Sequence, residues 1–282
     1  MRCAWQEYLR LLPLWMREDV DNLGRNNLQE LRLRCGQPPK LIQSTGHKVL
    51  DRMIHTDDLL YVINSASQYS PWAATTITNG YITGAGGHRI GICGDCVLQN
   101  GLITNIKNLT SLCLRTARDY PNIAKDLENC DGSILIIGPP GCGKTTLLRD
   151  LIRVKSNASK GSIAVLDERG EIFPSVNGKT CFECGANTDV LTGCSKEKGI
   201  SILLRTMGPY CIAVDEITHE HDCRAILHAG WSGVSLIATA HASNRRDLFS
   251  REIYQPLVKT GIFDMLIILK QDKSWKIERF QV

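Results

Sequence analysis

Apolar and polar residues recur with two different rhythms along this chain, and the change falls near residues 115–130. Before it the segments are short and mixed. In "MRCAWQEYLRLLPLWMREDV" the positions Trp5, Tyr8, Leu9, Leu12 and Trp15 fall at helical spacing and predict one docking helix. "ELRLRCG" sets Leu31, Leu33 and Cys35 against Arg32 and Arg34, the period of a half-buried strand, broken by Pro38-Pro39. "TDDLLYVINSASQYS" predicts a helix opened by Thr56, with Asp57 and Asp58 in its first turn, and stopped before Pro71. "GYITGAGGHRIGICGDCVLQNGLITNI" predicts a β-meander that turns at residues 84–87 and at Asn100-Gly101, a strong hairpin pair.

After Pro121 strands and helices alternate. "SILIIG", "SIAVLD", "CIAVDE" and "VSLIATA" predict buried strands, and "KTTLLRDLIRVK", "GISILLRTM" and "HDCRAILHAGW" predict the helices between them. "MLIILK" and "WKIERF" predict a closing hairpin around Gln271-Asp272-Lys273. Such alternation means a mostly parallel sheet covered by helices. The expectation is a smaller α+β domain over residues 1–118, followed by an α/β domain over 119–282.

Composition narrows the function classes. Apolar residues make up 43 %, enough for a sizeable core. The net charge is +4, spread over both halves, so neither half is basic enough to imply nucleic acid by electrostatics. No apolar run approaches the roughly 18 residues of a membrane span, and the charged N-terminus does not read as a secretory leader. The twelve cysteines are therefore expected as free thiols, most of them small buried hydrophobes. A zinc shared by Cys93, Cys96, Cys181 and Cys184, or a local site at Cys181, Cys184 and Cys194, is the minor alternative.

The strongest chemistry lies in Gly138-Pro139-Pro140-Gly141-Cys142-Gly143-Lys144-Thr145-Thr146, a phosphate-binding loop between a strand and a helix. Its glycines let backbone N–H groups converge on phosphates, and the helix start adds partial positive charge. Lys144 is expected on the β- and γ-phosphates of ATP and the Thr145 hydroxyl on Mg2+. "CIAVDE" supplies Asp215 for the Mg2+ shell and Glu216 to activate the attacking water. "LDERGE" places Asp167, Glu168, Arg169 and Glu171 after the next strand. They read either as a second acidic wall, with Asp167 on the metal and Glu168 catalytic, or as a solvated loop.

These residues resemble the secretion-type ATPases of type II and type IV export and pilus systems. Asp167-Glu168-x-x-Glu171 is similar to their acidic box, Arg205-x-x-x-Pro209 to the stretch before Walker B, Glu216-Ile217 to Walker B, and Thr239-x-His241 to the histidine box. A closer resemblance is to the stage III sporulation protein AA family. It is carried by "ELRLRCGQP", "GYITGAGGHRIGICG", "LRTAR", "GPPGCGKTTLLRD", "LDERGEI", "TDVLTGC", "VDEI" and "LIATAHA", in that order. The resemblance implies a RecA-like P-loop ATPase on the cytoplasmic, mother-cell side of a sporulating bacterium, peripheral at the membrane. It also implies a ring of copies, expected as a hexamer, joined to membrane channel proteins; the low net charge sets the expectation of no nucleic-acid partner.

The chain departs from the export ATPases in three places. Asp215 stands where they carry glycine, Thr218 where they usually carry arginine, and Asn187 where an arginine is expected before "TDV". A cation for the neighbouring site is therefore sought at Arg89, or at Arg115 and Arg118, each with a solvated or salt-bridged alternative. A single-stranded nucleic-acid-binding protein is the competing class. Arg224-x-x-x-His228 has the spacing of such a motif but falls on the helix after Walker B, and the chain ends at Val282 directly after the hairpin. A nucleotide-gated scaffold with little turnover is the third. His241, at the end of an apolar strand, is expected beside the γ-phosphate as a sensor of nucleotide state.

Overall fold

A computed structural model describes residues 1–67, 77–78, 80–158 and 161–280. The chain divides into two compact units, Met1–Asp119 with Pro174–Phe182, and Tyr120–Phe173 with Glu183–Val282.

The first unit begins with two helices where the periodicity predicts one. α1 (Trp5–Arg10) ends and α2 (Leu14–Leu23) restarts at Pro13, whose ψ of 141° is extended. Proline has no N–H for the helical ladder and its ring clashes with the preceding turn. The predicted face survives the break: Trp5, Tyr8, Leu9 and Leu12 are buried, and Trp15 is half-buried with its indole N–H on Asp58 Oδ1 at 2.9 Å. Six antiparallel strands follow as β1 (Leu28–Arg34), β2 (Lys40–Gln43), β3 (Gly46–Val49), β4 (Tyr81–Thr83), β5 (Arg89–Gln99) and β6 (Leu102–Arg115), in the spatial order β3-β2-β1-β6-β5-β4. Leu28, Leu31 and Leu33 of β1 enter the core, but Cys35 lies beyond the strand end and is exposed. α3 (Thr56–Ser67) starts at the predicted Thr56; its predicted stop before Pro71 lies outside the described residues. Asn100 and Gly101 turn the β5–β6 hairpin with φ of 51° and 77°, the positive values its tight turn requires.

The second unit is one sheet of seven strands, β7 (Ile134–Gly138), β8 (Ile163–Asp167), β11 (Thr188–Thr192), β12 (Cys211–Ile217), β13 (Ser235–His241), β14 (Met265–Leu269) and β15 (Trp275–Arg279). The order is β11-β8-β12-β13-β7-β14-β15, all parallel except β15. The remaining pair, β9 (Ser175–Val176) and β10 (Lys179–Thr180), is a small hairpin of the first unit. β7 and β8 are buried along their whole length, as strands covered on both faces must be. α4 (Lys144–Ala158) follows the P-loop and buries Leu147, Leu148, Leu151 and Ile152. α5 (Lys196–Thr206), α6 (Glu220–Trp231) and α8 (Gln255–Thr260) contribute Ile200, Ile226 and Leu257 to one core with Leu135, Leu166, Val214 and Leu236. α7 (Arg245–Ser250) is capped by the Asn244 side chain, which accepts the Asp247 N–H. No described helix is long and apolar enough to cross a membrane.

One consequence of the strand order positions the site. β8, β12, β13 and β7 are consecutive neighbours and run the same way, so Asp167, Asp215, Glu216, His241 and Gly138 all leave the sheet at one edge.

Candidate functional site

β7 delivers Gly138 into a loop whose shape only glycine permits. A Cβ on Gly138 would lie 2.5 Å from the Leu269 carbonyl oxygen and 2.6 Å from Cys142 Sγ. Gly141 and Gly143 have φ of 73° and 103°, in the region that favours glycine, and a Cβ on Gly141 would meet nothing within 4 Å. The cradle is thus packed against the sheet on one side and open on the other. Pro140 is exposed, Pro139 and Thr146 are half-buried, and Cys142 is buried under the loop.

Lys144 opens α4 and folds back over the loop. Its Nζ donates to the Gly138 and Pro139 carbonyls at 3.0 and 3.1 Å and lies 3.1 Å from His241 Nδ1. Burial draws the ammonium below its ordinary pKa, while Cys142, Asp215 and Glu216 pull it back up. Because an ammonium can only donate, His241 Nδ1 is the acceptor. The imidazole proton then sits on Nε2, which donates to Glu216 Oε1 at 2.8 Å. His241 therefore joins the P-loop lysine to Glu216 at the end of β12.

Asp215 sits between two hydroxyls. Thr145 Oγ1 donates to its Oδ2 at 2.6 Å, and the buried Thr239 Oγ1 donates to its Oδ1. Thr239 Oγ1 also accepts the Glu216 N–H at 2.7 Å. That bond accompanies a break in the β12–β13 register between Val214 and Ile217, where Glu216 takes a φ of 52°. A left-handed glutamate is costly, and here the twist turns its side chain to His241 and Arg169. Arg169 Nη1 donates to Glu216 Oε2 at 3.1 Å. Burial alone would raise the Glu216 carboxyl, but the His241 bond and the Arg169 charge bring it below the usual range.

The acidic loop is organised differently from expectation. Asp167 is buried, and its two oxygens accept the N–H groups of Glu171, Ile172 and Phe173 at 2.8, 2.9 and 2.8 Å. The carboxylate expected on the metal thus shapes its own loop here. Burial and the nearby Asp215 push Asp167 up to about 6, although the Ile172 and Phe173 N–H groups and Arg149 act the other way. The buried Arg149 of α4 secures the same loop through the Glu171 and Ile172 carbonyls. Glu168, expected to be catalytic, is held by the buried Lys196 at 2.8 Å, which also lies 3.7 Å from Asp222.

The three candidate arginines belong to the first unit. Arg89 lies over the Tyr81 ring at 4.0 Å. Arg115 lies 3.8 Å from Glu30, and Arg118 donates to the carbonyls of Arg25 and Leu28. Arg224 of α6 is exposed and lies 3.7 Å from Glu220, on a helix of the second unit. All twelve cysteines are free, Cys93 and Cys96 are exposed, and no metal-holding group of three His, Cys, Asp or Glu forms among the described residues.

Sequence reasoning missed Arg149, Lys196 and Tyr254. Tyr254 Oη accepts the His241 N–H at 3.2 Å and donates to the Ile217 carbonyl at 3.2 Å, tying the ends of β12 and β13 together. Arg149 lies within the quoted P-loop stretch but, like the other two, matters through partners far along the chain.

The oxygen donors of Thr145 and Asp215 suit Mg2+, which takes one or two protein ligands and completes its shell with water and phosphate. With the open cradle at Gly141, the residues present fit a magnesium nucleotide.

The architecture is shared with solved structures. The solved ATPase DotB of Legionella pneumophila superposes with a TM-score of 0.57 at 20 % identity, covering 96 % of this chain and 80 % of that one. The pilus retraction motor PilT, solved with bound ADP, gives 0.58 at 15 %, covering 89 % and 76 %. These likenesses establish a RecA-like P-loop fold. In sequence the chain is 32 % identical over 281 residues to the stage III sporulation protein AA of Bacillus subtilis (strain 168), spanning 95 % of this chain and 92 % of that protein. The family described as "Sporulation stage III, protein AA" matches residues 5–278, and the chain belongs to that family.

Proposed function

We propose that the second unit binds and hydrolyses ATP. The observation that carries this reading is one continuous hydrogen-bonded path, Thr145–Asp215–Thr239–Glu216–His241–Lys144, linking the P-loop to two neighbouring strand ends. In this reading Lys144 exchanges its loop carbonyls for the β- and γ-phosphates, and Thr145 and Asp215 hold Mg2+. The metal supplies charge neutralisation on the transferring phosphoryl group. Glu216, ionised at neutral pH, orients the attacking water and accepts its proton. When Lys144 turns to phosphate, His241 Nδ1 loses its donor, so nucleotide occupancy is passed to Glu216 through one imidazole.

Family membership extends the proposal to a ring of copies, six as expected of a secretion-type motor, acting with membrane channel proteins during sporulation. The ring would stand in the cytoplasm on the mother-cell side. Arg89, Arg115 and Arg118 remain the candidates for the cation lent to a neighbouring copy, and no nucleic acid is required. One observation favours a second reading, a nucleotide-gated scaffold: both Glu216 oxygens are engaged, by His241 and Arg169.

The test is ATP turnover by wild type, Lys144→Ala and Glu216→Gln, with solution mass measured with and without ATP. The hydrolase reading expects turnover in wild type, loss of binding in Lys144→Ala, and retained binding without turnover in Glu216→Gln. Wild type that binds ATP and turns it over no faster than Glu216→Gln establishes the scaffold instead.

A further inference from the structure

The turn between β14 and β15 places a lysine where the turn itself has no use for one. Lys273 has a φ of 70°, a left-handed conformation that suits asparagine or glycine far better than lysine. The turn is closed without its side chain. The Lys270 N–H donates to the Ser274 carbonyl at 2.9 Å, the Lys273 N–H to the Lys270 carbonyl at 3.1 Å, and Asp272 Oδ1 accepts both N–H and hydroxyl of Ser274. The Lys273 side chain reaches instead to the P-loop, where Nζ donates to the Gly141 carbonyl at 2.9 Å.

The hairpin cannot drift from the loop it touches. β14 pairs in parallel with β7 up to Ile268 and Ile137, and Leu269 packs against Gly138 so closely that no Cβ fits between them. A Cβ on Gly143 would lie 3.9 Å from Lys273 Nζ. The ammonium thus stands beside Gly141 and Gly143, the two left-handed glycines whose neighbouring N–H groups form the phosphate cradle. An ammonium has three donors, and the Gly141 carbonyl takes one.

We propose that Lys273 is a nucleotide-binding residue: a second ammonium at the mouth of the P-loop, supplied by the same chain, that turns from the Gly141 carbonyl to the phosphates of ATP. The proposal rests on the reading of this loop as an ATP site. It differs from Lys144 in origin and purpose. Lys144 enters from the helix side and is wired to His241 and Glu216, whereas Lys273 enters from the opposite hairpin and touches the loop alone among those groups. It adds charge for binding and makes no link to the acid that activates water.

The decisive variant is Lys273→Asn, which removes the ammonium while suiting the left-handed backbone, so thermal stability is kept or raised. Affinities for ATP, ADP and AMP would be measured at two salt concentrations on wild type, Lys273→Asn and Lys273→Arg. Loss of one charge-assisted contact predicts about tenfold weaker ATP and ADP binding and a shallower salt dependence. AMP binding stays unchanged, and Lys273→Arg restores most of the loss. Wild-type ATP affinity in Lys273→Asn overturns the proposal, as does equal weakening for all three nucleotides, which would mean that Lys273 only shapes the loop. Failure of the wild type to bind ATP brings down the ATP-site reading first, and this proposal with it.

Discussion

Thr239→Val tests the site's central joint with almost no change in volume. The hydroxyl is fully buried, donates to Asp215 and accepts the Glu216 N–H. The bond to the carboxylate is worth about 1.5–3 kcal/mol. The stranded Glu216 N–H adds about 1 kcal/mol, the low end for such groups, because Glu216 is only half-buried. Against this, freeing Glu216 from its left-handed conformation recovers about 1–2 kcal/mol. The net loss is then about 2 kcal/mol. With an m-value near ~2 kcal/mol/M, the urea midpoint of the second unit falls by about 1 M with its slope unchanged. Thr239→Ser keeps both bonds and loses one methyl, so it should shift the midpoint by less than half as much. Since Asp215 and Glu216 are both released, turnover in Thr239→Val should fall by about 100-fold. Equal midpoints for the valine and serine variants would refute the account, because the hydroxyl would then hold nothing.

Other predictions follow from the same contacts. His241→Ala should lower ATP turnover more than ATP affinity, as measured by steady-state kinetics beside equilibrium binding; equal loss of both would make it a fold residue only. Buried His88 accepts the Ala117 N–H at Nδ1 and lies 2.9 Å from the Ala4 carbonyl through Nε2, and burial pushes its pKa down to about 4. Its neutral form therefore stabilises the first unit fully above the unfolded value near ~6.5, and that stability is lost as pH falls toward 4, by up to about 3 kcal/mol. Urea melts between pH 7 and pH 4 should show this slope in wild type and lose it in His88→Asn. Arg149→Met strands two carbonyls and removes a cation beside Asp167, so the second unit should lose about 3 kcal/mol. Amide exchange at Glu171, Ile172 and Phe173 should rise with it; unchanged protection there would show that the loop holds itself.

Much of the second unit is readable because its signals are local. The P-loop, Walker B acids and histidine box each occupy a few consecutive residues at a strand end, and buried strands of a parallel sheet announce themselves as apolar runs. β11 was not readable, since "TDVLT" has only two apolar residues and owes its strand to pairing with β8. The six-residue α7 and α8 are too short to show a helical period. Pro13 was visible but outweighed by the apolar spacing around it, although a missing N–H is the stronger constraint. Asp167 shows a deeper limit. Its sequence pattern marks an acid at the right edge of the sheet, yet whether it faces a metal or its own loop depends on backbone beyond the strand. Lys196 and Tyr254 act through contacts made only once the chain has folded.

The strand order also dictates when the site can come into being. β7 carries the P-loop, but both of its neighbours, β13 and β14, are made later. During synthesis this wholly apolar strand waits for roughly a hundred further residues, about 5–20 s at usual elongation rates, before β13 can pair with it. Until then both of its edges are open to wrong partners. His241 and Thr239 arrive on the very strand that ends this wait, so the step that covers the first edge of β7 is also the step that completes the hydrogen-bonded path from Thr145 to Lys144.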